Sequence, residues 1–185
     1  MVGLFGKPAL PERAAALRFL AETTWRAALA WPEVKHQLTA VLGSQLEEEP
    51  EILDRPASLI AFQVVLTATQ FQAAANLCPA PQAERLLHQV ALLLKENVQF
   101  GDDRAVLFLA CHQMFAKSLL EGLNPVATLA VQLLDEWGLE DDLDFEGAEF
   151  WNPITLAPLV VILSTAGGAW WRDTLAQHRI VQEAA

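Results

Sequence analysis

The sequence predicts an all-α fold, a single compact bundle of about seven helices, on three observations. Prolines recur where helices would open, the segments between them carry a 3.6-residue apolar period, and no stretch alternates apolar and polar residues as a half-buried strand does. The chain of 185 residues is long enough to bury a sizeable core as one domain, 1–185, and 53% of it is hydrophobic.

In chain order, residues 1–10 are expected to form a flexible N-terminus. Pro11 then opens the first helix and Pro32 the second, since proline loses nothing at a first helical position. From Pro32, a stripe of Val34, Leu38, Val41, Leu42 and Leu46 faces a core, while Glu33, His36, Gln37 and Ser44 lie away from it. The helix from Pro56 sits in an uncharged segment, 56–83, and is apolar on most sides, so it is expected at the centre with the others around it. Pro81 opens a helix with Leu86, Leu87, Val90, Leu93, Leu94 and Val98 on one face. Gly101, Asp102 and Asp103 open the next by capping. Asn124 before Pro125 and Asn152 before Pro153 supply N-caps to the last two. Alternate starts lie 44 to 51 residues apart, close to the period of a HEAT-like solenoid, which is the alternative architecture. No residue pattern repeats at that period, so the compact bundle is preferred.

The run 150–171 carries no charge and includes Trp151, Trp170 and Trp171. As a membrane span it fails on length. Pro158 would clash inside a helix begun at Pro153, and the remainder covers about 21 Å against a bilayer core of about 30 Å. A buried helix with a bend at Gly167 and Gly168 is expected instead, and peripheral membrane association through 150–171 is the weaker alternative.

Charge excludes more than it identifies. Net charge is −11, and the sequence pI is near 4.7. Nucleic-acid binding needs a basic face that displaces counterions, and this composition argues against one. Between Lys117 and Arg172 there is no Lys or Arg, yet nine acidic residues fall there, eight of them from Asp135 to Glu149. The stretch 138–152 is expected to be an acidic loop. Cys78 and Cys111 form no CxxC, and nothing at the N-terminus resembles a secretion signal, so a cytoplasmic protein with two reduced, buried thiols is expected.

Catalytic and metal motifs are weak. Asp142, Asp144, Glu146 and Gly147 imitate the front of an EF-hand loop, but Pro153 stands where the bidentate Glu is needed. Glu33 and His36 have di-iron spacing without the second motif, and they face away from the apolar stripe. Glu84 and His88, four apart, read as a surface pair. Cys111 and His112 are adjacent and could line a pocket, although neighbouring helical positions point about 100° apart. No cofactor and no metal site are implied.

The function expected is therefore a non-enzymatic interaction module: an adaptor, an assembly chaperone or a neutralising partner of a basic protein. Its acidic and aromatic face would consist of Trp137, Asp141, Asp142, Asp144, Glu146 and Trp151, with tryptophans as anchors. The alternative is an apolar pocket between helices near Cys111 and His112, binding a small ligand or acting on one. Homo-oligomers are compatible with the composition.

Overall fold

The computed structural model describes residues 7–41, 51–97, 101–139, 153–164 and 167–182. Helix α1 spans Glu12–Val41, α2 Pro56–Leu77, α3 Ala80–Glu96, α4 Gly101–Leu120, α5 Pro125–Glu136, α6 Pro153–Ser164 and α7 Gly167–Gln177. Two short strands, β1 (Ala9–Pro11) and β2 (Arg179–Val181), pair in parallel with Leu10 opposite Ile180.

Helix α2 is the axis. It contacts all six other helices, and five of them close a ring around it: α1 touches α3, α3 touches α4, α4 touches α5, α5 touches α6, and α6 returns to α1. The physical cause is its composition. An uncharged helix, buried from Ala61 to Phe71 without interruption, offers no face to water. Two of its threonines are satisfied by carbonyls of the same helix. Thr67 donates to the Gln63 carbonyl and lies 2.9 Å from the Thr23 hydroxyl of α1, while Thr69 donates to the Val65 carbonyl. Among the described residues α2 alone is long and apolar enough to cross a membrane, but 72% of its most apolar window is buried by the other helices.

Two rows of aromatic rings knit the ring to its axis. Phe71 of α2 makes edge contacts with Phe19 of α1, Phe108 of α4 and Trp171 of α7. Nearer the other end, Trp31 of α1 packs on Phe62 of α2.

Four sequence expectations need correction. Pro32 does not open a helix; it lies inside α1. Ala27, Val34 and Leu38 form one fully buried face across it, and that packing outweighs the lost hydrogen bond. Pro158 likewise lies within α6, which starts at Pro153 rather than later. The N-terminal residues from Ala9 onward are not a flexible tail, because β1 is held by β2 and Leu10 is buried. Both strands are only three residues long and pair across the length of the chain, so neither carries a readable alternation. Last, Gly167 and Gly168 form the first turn of α7, and 165–166 lie outside the described residues.

Other expectations hold. The side chain of Asn124 caps α5, accepting from the amides of Val126 (3.0 Å) and Ala127 (3.2 Å). The α3 stripe of Leu86, Val90, Leu93 and Leu94 is buried, and Cys78 and Cys111 are buried free thiols.

Candidate interaction surface

Helices α4 and α5 both end in a glycine turn, and these turns decide what their last side chains do. At the end of α5, Gly138 takes φ +70°, its amide returns to the Asp135 carbonyl, and the Leu139 amide returns to that of Leu134. Trp137 is thereby folded inward: 4% exposed, edge-on to Trp31, with its indole N–H donating to the Ser58 carbonyl at 3.2 Å. Trp137 is therefore a core residue, not the exposed anchor expected from sequence. Asp141, Asp142, Asp144, Glu146 and Trp151 lie outside the described residues.

Cys111 and His112 do not meet as a nucleophile and base. Cys111 faces the core and is fully buried. Burial, reinforced by the negative charge of Glu136, pushes its thiol up to about 12. His112 points elsewhere; its Nδ1 lies 2.8 Å from Gln72 Nε2, and its ring stands edge-on to Phe71. Burial lowers the pKa of His112, which favours the neutral ring. A thiol that stays protonated beside an imidazole held by another residue is an inert pair.

Metal chemistry finds no better footing. Among the described residues no group of three His, Cys, Asp or Glu side chains converges. Glu33 and His36 are exposed on α1, and Glu33 accepts from Gln37. A polar cleft of about 380 Å³ lies between α1 and α3, lined by Glu12, Arg85 and His88 among others. Its charges neutralise one another: buried Glu12 accepts two bonds from Arg85 Nε, at 2.9 and 3.1 Å, and Arg13 pairs with Glu96. The hydrogen bond to Glu12 raises the pKa of Arg85, keeping it charged.

The surface that stands out is the outward side of α4. Val106, Leu109, Gln113, Ala116 and Leu120 follow one another at spacings of 3, 4, 3 and 4, and all five are exposed. Val106 is 65% exposed, Leu109 37% and Leu120 90%. The opposite side of the same helix carries Phe108, Cys111 and Ser118 into the core. Apolar residues at that spacing are the seam of a helix that meets another helix. The seam is about 21 Å long. Its end is broadened by Leu119 and by Leu123, which the Gly122 turn (φ +73°) brings back over the helix terminus. Charge at its margins is largely paired: Lys95 holds Asp102 at 3.2 Å at one end and Lys117 holds Glu121 at 3.8 Å at the other, with Asp103 beside the first pair.

A second apolar exposure lies on α1, where Trp25 and Leu29, one turn apart, are 58% and 63% exposed. Mixed charges border it, with Arg26 held by Glu22 at 2.7 Å. Exposed Ala21 and Leu17 (56%) continue it toward the N-terminus, but at steps of four residues, which wind round the helix instead of following one seam as the alternating steps on α4 do.

The α4 seam was missed in reading the sequence, although its spacing is written there. Helix α4 is apolar on two sides, and one sequence does not say which side the core takes. Comparison with protein-family models, with functionally described proteins and with solved structures finds no match for this chain.

Proposed function

We propose that this protein is a non-enzymatic interaction module whose α4 seam receives an amphipathic helix with basic flanks from a partner protein. The observation that carries the reading is the run of Val106, Leu109, Ala116 and Leu120 on the solvent side of a helix already packed on its other side. Scattered surface leucines need no explanation, but an apolar row along one helix face, broken only by Gln113, costs free energy in water until something covers it. The net charge of −11 favours a basic partner and speeds its approach. The acidic residues from Glu140 to Glu149 contribute to that net charge and belong to the same proposal.

The test is calorimetric titration with two synthetic helices about three heptads long, alike in a Leu seam and differing in Lys or Glu flanks. The Lys helix should bind, more weakly as salt rises, and the Glu helix should not. Changing Leu109 and Leu120 together to Ser should weaken binding at least about tenfold, equivalent to about 1.4 kcal/mol, with thermal stability unchanged. Equal binding by the substituted protein, or no preference between the two helices, would reject the proposal.

A further inference from the structure

The β1–β2 ribbon brings the two ends of the described chain together, and with them an unusual set of charges. The Arg179 amide donates to the Pro8 carbonyl at 3.0 Å, and Lys7 Nζ donates to the Leu175 carbonyl at 2.8 Å. Between these groups lies a hollow of about 550 Å³ lined by Lys7, Gln82, Leu175, His178, Arg179 and Ile180. Among the described residues, two of its lining residues are cations, a third is a histidine, and none is acidic.

That composition runs against the rest of the molecule. The chain has 23 acidic and 12 basic residues, and at least seven of the twelve bases hold a carboxylate. Lys7 and Arg179 hold none among the described residues, and they share one hollow. Two like charges facing a common space repel one another unless an anion lies between them. Lys7 spends one of its three N–H donors on the last turn of α7, which leaves two. Gln82 gives its amide N–H to the Ile180 carbonyl at 3.1 Å, fixing one wall.

His178 completes the set. Its Nδ1 is buried and has no hydrogen-bond partner. A proton there would be an orphaned buried donor, which proteins avoid more strictly than an orphaned acceptor. The neutral ring therefore carries its proton on Nε2, and the residue lines the hollow.

The geometry points to an oxyanion site at the Lys7–His178–Arg179 hollow, taking a phosphate group either as free phosphate or as a small phosphate monoester. A phosphate dianion offers the three or four acceptors that an ammonium, a guanidinium and an imidazole N–H would fill, and charge-assisted bonds of this kind are the strong ones. Lys7 covers one of the last α7 carbonyls, that of Leu175, and so reduces the repulsion an anion would meet at this helix end. This site is independent of the α4 seam.

The experiment is titration of the full chain with inorganic phosphate, sulfate and glycerol phosphate, each against sodium chloride at matched ionic strength. Phosphate should raise the melting temperature beyond the chloride control and shift the His178 Nε2 resonance. Arg179→Gln and Lys7→Gln should each weaken binding at least about tenfold, while Arg18→Gln, a cation on α1 away from the hollow, should not. If Lys7→Gln loosened the ribbon, circular dichroism would show it, and exposed Arg179→Gln would still carry the test. Glycerol phosphate binding as well as inorganic phosphate assigns the site to an ester, and a preference for inorganic phosphate assigns it to the free ion. A phosphate effect no larger than that of chloride, or one unchanged by Arg179→Gln, would overturn the assignment.

Discussion

Single residues in this protein are governed by what surrounds them more than by their own chemistry. Cys111 is a nucleophile by type and inert by place. Alkylating reagents should leave it unmodified in the folded protein at neutral and mildly alkaline pH, and label it only after denaturant is added. Mass spectrometry would check this, and rapid labelling of Cys111 in the native state would contradict the burial that raises its pKa to about 12. His112 makes the corresponding prediction for pH. Its pKa in the folded state is lowered by burial, so the unfolded chain binds the extra proton first as pH falls. The stability tied to the neutral ring is fully present above about pH 6.5 and is lost as pH drops from there through the folded-state pKa. Denaturant melts at about pH 8 and pH 5 should differ less in His112→Gln than in the wild type. Asn124 and Gly138 act through the backbone. Asn124→Ala removes the α5 cap, and Gly138→Ala forces a side chain into the left-handed region; each should lower stability by about 1 kcal/mol. Neither effect depends on function, so chemical denaturation suffices to measure both.

At the scale of elements, the sequence was most readable where a local signal agreed with packing. Pro56 opens α2, Asn124 caps α5 before Pro125, and the α3 stripe faces inward, because a local preference and a buried face coincide there. It was least readable where the two conflict. Pro32 has the local grammar of a helix start, yet the buried face of Ala27, Val34 and Leu38 runs straight through it. Pro32→Ala should therefore stabilise the protein, by up to about 3 kcal/mol if α1 keeps its path, as read from denaturant midpoints. A loss of stability would mean that the proline fits its site better than a helical residue does. Trp137 failed as an anchor for a related reason. The glycine turn after α5 folds the chain back toward the start of α2, and neighbouring acids in the sequence carry no information about that turn. The α4 seam conforms to a periodic rule but is legible only once the core has claimed the other side of the helix.

The described helices form a ring of five around an uncharged axis, with α7 packed on that axis as well, and this plan separates the surfaces. The α4 seam and the α1 exposure lie on different helices of the ring, with α3 between them on one side and α5 and α6 on the other. The Lys7–Arg179 hollow sits where β1 and β2 meet. A net charge of −11 spreads over this frame and sets a long-range attraction for basic partners. Reversing Asp141, Asp142 and Asp144 to Lys should slow association with the Lys-flanked helix and flatten its salt dependence, while leaving dissociation nearly unchanged. Stopped-flow fluorescence separates those two rates. The central claim is about place, that partners dock on α4, and methyl NMR of Leu- and Val-labelled protein tests it most directly. On titration with the Lys-flanked helix, the methyls of Val106, Leu109 and Leu120 should shift together and saturate, while those of Leu17 and Leu29 on α1 stay still. Shifts concentrated on α1, or none at any of the α4 positions while the helix binds, would contradict the account.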